Sequence, residues 1–193
     1  MKSEGSRKFF RASKANDEIG SRINSGNAEY GWAYRQAARK LLSDVADGTF
    51  VVLPGIFLYR HALEIYIKAI LVAFGEVHGI TTNSVVSRCH DLSAQLADLG
   101  RVFDAHGKKL HEDTIDTIRE FQRIDPGFNC RYWTDQKGNR VHISEEDHFE
   151  LEPFICSVEA ALTELEGFFQ ETAIQQLLDN SRQELDARVA DSN

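Results

Sequence analysis

The chain has 193 residues, 42% of them hydrophobic and 27% charged, which predicts one globular domain large enough to bury a core. Its net charge of −8 argues against a surface that attracts nucleic acid everywhere, so any RNA contact needs a local basic cleft. The N-terminus lacks an apolar leader core, and Cys89, Cys130 and Cys156 form no C-x-x-C pair; both features fit a cytoplasmic protein whose thiols are small core residues.

Residues 1–26 read as a basic polar arm. Lys2, Arg7, Lys8, Arg11, Lys14 and Arg22 outnumber Glu4, Asp17 and Glu18, a net +3, which leaves −11 on the rest. Such an arm is either a solvated tail or an RNA contact. A first helix is expected over about 28–46, capped by Asn27, with Tyr30, Ala33, Tyr34, Ala37, Leu41 and Val45 as its buried stripe.

The most telling stretch follows, from Pro54 to Phe74. It is apolar around nearly its whole circumference, which places it at the centre of a bundle. Yet its middle carries Arg60, His61, Glu64 and Lys68, too many charges for a membrane span. Arg60, Glu64 and Lys68 stand at i, i+4 and i+8, so the carboxylate can bridge both cations along one stripe. Two readings fit: an ion-pair lock between helices, or a groove in which Arg60 binds phosphate and His61 acts as acid or base.

Asp91 is placed to cap a helix over 92–99, with His90 packed beside it or meeting Glu64 or Arg131. A further helix is expected over about 108–124, with Ile115, Ile118 and Phe121 on one face. Residues 128–143 then switch period, and Asp135–Asn139 between two short extended runs predicts a small β-hairpin. Arg131, Tyr132 and Asp135 there either brace the loop or hold a phosphate and stack on a base. A long last helix carries Phe154, Val158, Leu162, Leu165 and Phe169, reaching Leu177 and Leu178, before a polar tail at 181–193. The fold class is therefore all-α: an up-and-down bundle of four to five helices over 27–180 with a hairpin insert. One Glu-x-x-His at Glu145–His148 falls short of a di-iron set, so neither metal nor cofactor is expected.

Three segments in order, FLYRHALEIYIKAIL, His90-Asp91-Leu92 and DPGFNCRYWTD, resemble the HEPN superfamily over about Tyr30 to Leu165. Cys130 and Trp133 depart from that family's usual segment around Arg131-Tyr132. The resemblance implies a homodimeric helical bundle of a toxin–antitoxin or phage-defence system, with a cognate antitoxin or defence partner. Many members are metal-independent RNases with an R-x(4–6)-H motif at the dimer cleft. Here that spacing occurs at Arg101 and His106, expected on a loop or turn past Leu99-Gly100. Two functions follow. One is an RNA-directed endoribonuclease with Arg60 and His61, or Arg101 and His106, as the catalytic residues, and Glu64, Lys68, His90, Arg131 and Tyr132 as binding residues. The other is a non-catalytic dimeric scaffold that binds a nucleotide or a partner protein. A homodimer is also expected because the central helix carries more apolar surface than four neighbours easily cover.

Overall fold

The computed structural model describes residues 27–43, 51–81, 84–85, 90–124 and 150–191. Among these, five α-helices follow one another: α1 (Asn27–Ser43), α2 (Val52–Phe74), α3 (Leu92–Ala105), α4 (Glu112–Ile124) and α5 (Leu151–Asp191), with a 3-10 turn at Glu76–His78. The described residues form an all-helical bundle, as the patterning predicts. The expected hairpin at 128–143, the arm at 1–26, Cys89 and Cys130 lie outside the described residues.

α2 is the axle. It packs on α1, α3 and α5, while α4 closes the bundle against α3 and α5. Ile56, Tyr59, Leu63, Ile67, Ile70 and Leu71 of α2 are fully enclosed and meet Leu99 and Val102 of α3, Ile118 and Phe121 of α4, and Leu162 and Leu165 of α5 in one cluster. Each such side chain contributes on the order of 2 kcal/mol through burial. Most of the apolar surface of α2 is thus covered within one copy, which removes much of the apolar excess invoked above for dimerisation. Pro54 falls in the first turn of α2, where a missing N–H costs no helical bond. None of the described helices is long and apolar enough to cross a membrane.

Several boundaries differ from the sequence reading, each for a local reason. On α1 the buried residues are Gly31, Arg35, Ala38 and Leu42, whereas Tyr30, Ala33 and Ala37 are exposed and Tyr34 and Leu41 half-buried. Apolar patterning passes over a glycine and an arginine, yet these two face inward. Gly31 lies against the ring of Tyr66, where an added Cβ would stand 2.8 Å from Cδ2, and Arg35 is neutralised by acids on α5.

α3 does not stop at Leu99. Asp91 caps it as expected, accepting from the Ala94 N–H at 3.0 Å, but Gly100 is an interior residue with open space around it. The true stop is Gly107, with φ of 67°. There the Lys108 N–H reaches the Phe103 carbonyl and the Gly107 N–H that of Asp104, both at 3.0 Å, which closes the last turn. Arg101 is therefore helical rather than on a loop or turn, whereas His106 is the C-cap residue within the closing turn. α5 continues to Asp191 through the segment read as a polar tail. Cys156 is exposed on α5 rather than a core thiol.

Candidate functional site

Helical geometry puts Arg60, Glu64 and Lys68 on one stripe of α2. Glu64 bonds to both cations: Oε2 lies 3.1 Å from Arg60 Nη1, and Oε1 lies 2.5 Å from Lys68 Nζ. His90 completes the cluster, its Nδ1 2.8 Å from the same Oε1. An ionised carboxylate only accepts, so Nδ1 carries the hydrogen and donates. Arg60 donates its Nη2 hydrogen to the His90 carbonyl at 2.9 Å, which ties the start of α3 to the middle of α2.

The cluster is sealed at one end and open at the other. The side chains of Arg60 and Glu64 are 0% and 2% exposed, against 26% for Lys68 and 46% for His90. Burial pushes the Glu64 carboxyl up, but the hydrogen bonds and charges of Lys68 and then His90 outweigh it and hold the group below the usual carboxylate range. The interior end is thus a closed ion pair. Lys68 and His90 form a rim that solutes can reach.

His61 belongs to a different side of the molecule. One residue along a helix turns the side chain by roughly 100°, and the His61 ring meets Tyr34 edge-on, with centroids 4.4 Å apart, and stacks near Phe57 at 5.7 Å. Arg60 and His61 therefore do not converge on one point. Arg101 is mostly exposed and pairs with Asp98 on its own helix. His106 turns its Nδ1 to the Val102 carbonyl at 2.8 Å, which puts the hydrogen on that nitrogen, and its ring packs against Phe74, Phe168 and His78. Arg101 and His106 are separated by about 140° around the helix axis, one on Asp98 and the other in an aromatic cluster. Arg131, Tyr132 and Asp135 lie outside the described residues. Among the described residues, no group of three or more His, Cys, Asp or Glu is placed to hold a metal.

A second polar cluster went unread in the sequence. Arg35 of α1, only 5% exposed, donates from Nε to Glu159 Oε2 at 2.8 Å, from Nη1 to Glu166 Oε2 at 2.9 Å, and from Nη2 to Thr163 Oγ1 at 2.6 Å. Arg39 also pairs with Glu159, and the Tyr59 hydroxyl of α2 donates to Glu159 Oε1 at 2.8 Å. Burial pushes Glu159 up, but bonds from Arg39, Arg35 and Tyr59 hold it below its ordinary value. The available signal was two arginines one turn apart on α1 and two glutamates seven residues apart on α5. Nothing local in the sequence pairs them.

No family model, curated protein or solved structure matches this chain.

Proposed function

We propose that this protein is a HEPN-like, non-catalytic helical scaffold that dimerises and binds a nucleotide or partner protein within a defence or toxin–antitoxin system. The observation that carries the reading is the enclosure of Arg60. A phosphate-binding arginine needs an open fork, and this one is fully buried on Glu64 and the His90 carbonyl. The separate surroundings of His61, Arg101 and His106 point the same way, because acid–base catalysis on phosphate needs a histidine and a cation within reach of one substrate.

A second reading rests on the rim. Lys68 and His90 share Glu64 Oε1 and are partly open to solvent, so an imidazole and an ammonium stand together where an RNA backbone can approach. On that reading the protein is a metal-independent endoribonuclease with His90, rather than His61 or His106, as its acid–base group.

One assay separates the two. Purified protein in EDTA is incubated with single-stranded RNA, and the ends are analysed for 2′,3′-cyclic phosphate. The scaffold reading expects intact RNA from the wild type, alone or with its genetic partner. Cleavage that His90→Ala abolishes, with DNA of the same sequence spared, overturns it in favour of the rim. Cleavage lost instead in His61→Ala or His106→Ala overturns both.

A further inference from the structure

α5 outruns the bundle. Thr172, at 6% exposure, is its last buried residue among those described up to Arg188, and the helix continues to Asp191, roughly 28 Å farther. On this extension Ile174, Leu177, Leu178 and Leu185 are 58%, 66%, 51% and 62% exposed. A helical segment of this length is marginal in water without a partner, and large aliphatic side chains on its surface mark a docking face.

The spacing names the kind of face. Glu171, Ile174, Leu178, Ser181, Leu185 and Arg188 alternate by three and four residues, which is the seam of a two-stranded coiled coil. The charges at the two ends of this seam are complementary only when it is reversed. Laid antiparallel on a second copy, Ile174 faces Leu185, Leu178 faces Ser181, and Glu171 faces Arg188. A parallel pair would instead set Glu171 against Glu171 and Arg188 against Arg188, and like charges across a seam repel. Between Thr172 and Arg188 the extension also carries Asp179, Glu184 and Asp186 against Arg182 and Arg188, a poor surface for nucleic acid.

We propose that the projecting end of α5 is the self-association surface of this protein, pairing antiparallel with the same segment of a second copy. The inference rests on the dimeric part of the function proposed above and names the surface that makes the dimer. The bundle stands clear of Leu178 and Leu185, so charge introduced there should leave each copy folded. Glu171 also holds Lys108 within its own chain, an exposed pair that a second copy's Arg188 can join.

The test is sedimentation equilibrium of the full-length chain over a wide concentration series. Wild type should approach twice 21.8 kDa, and Leu178→Glu combined with Leu185→Glu should weaken association at least about 100-fold. Thermal melting of that variant at low concentration reports whether the bundle is intact. Glu171→Arg and Arg188→Glu should each weaken the dimer, and the two together should regain at least tenfold over either alone. Only the antiparallel register gives that recovery. A monomer at every concentration overturns both this inference and the dimeric scaffold. A dimer that persists in the Leu178→Glu/Leu185→Glu variant overturns the surface alone, as does a double charge swap without recovery.

Discussion

Arg60 and Glu64 stand one turn apart on α2 and are both shut away from water, so the arginine's charge is answered inside the protein or not at all. The carboxylate is also an acceptor that Arg60, Lys68 and His90 share. Glu64→Gln is therefore expected to destabilise the fold by about 3–5 kcal/mol, because it removes the buried negative charge that pairs with the enclosed arginine. Lys68→Gln, at the open rim, should cost about 1 kcal/mol or less. Urea unfolding of the two variants measures the contrast, and equal losses would mean that water reaches Arg60.

The Arg35 cluster should discriminate between cations. Its guanidinium spreads hydrogen bonds over Glu159, Glu166 and Thr163, a fan that an ammonium cannot reproduce. Arg35→Lys should lower stability by about 2 kcal/mol, whereas Arg39→Lys, on a side chain nearly half exposed, should change it by about 0.5 kcal/mol. If the two substitutions are equivalent, the buried fork is not what binds α1 to α5.

What the sequence revealed divides along the range of the interaction. The Glu64 bridge to Arg60 and Lys68 was legible because i, i+4 spacing is the helix's own geometry, and the Asp91 cap because it acts on its own next turn. His90 meeting Glu64 was one of the contacts open to it, since His90 precedes a capped helix start. Arg35 was not legible, because its partners Glu159 and Glu166 lie on α5, at the far end of the chain, and their match is tertiary. The face of α1 was misread because Gly31 and Arg35 face inward for reasons unrelated to hydrophobicity. The helix after Asp91 was expected over 92–99, but Gly100 is interior to it, and the left-handed turn that closes it is at Gly107.

Glycine-to-alanine changes test that distinction. Gly100 and Gly167 are interior to helices with nothing near the site of a Cβ, so alanine at either should stabilise by about 0.5–1 kcal/mol. Gly31→Ala places its methyl against the Tyr66 ring, and should destabilise by about 1–3 kcal/mol through overpacking. Melting temperatures that rise for Gly31→Ala would show that α1 is free to move off α2.

Stability should fall at both ends of the pH scale. Glu64 and Glu159 are held below the usual carboxylate range, so the folded state resists protonation more than the unfolded chain does. Their contribution is fully present above about pH 4.3 and is lost as pH falls through the lower folded values. Burial raises the phenols of Tyr59 and Tyr66, helped by Glu159 and Glu166 respectively. The folded state then keeps protons that the unfolded chain releases, so this contribution is intact below about pH 10 and declines above it. Unfolding free energies across pH should lose part of their alkaline slope in Tyr59→Phe. An unchanged slope would count against burial of that hydroxyl.

Tyr59 and Arg60 are consecutive, and they reach in different directions: the hydroxyl of one to Glu159 on α5, the guanidinium of the other to the carbonyl before α3. A single turn of α2 thus cannot loosen without releasing two neighbours at once. Its amides should exchange with deuterium only when the whole bundle opens, while those beyond Thr172 on an isolated copy exchange by fraying. The protein then has a slow centre and a fast handle, and the handle can form and break contacts on its own timescale without disturbing the turn that keeps the fold together.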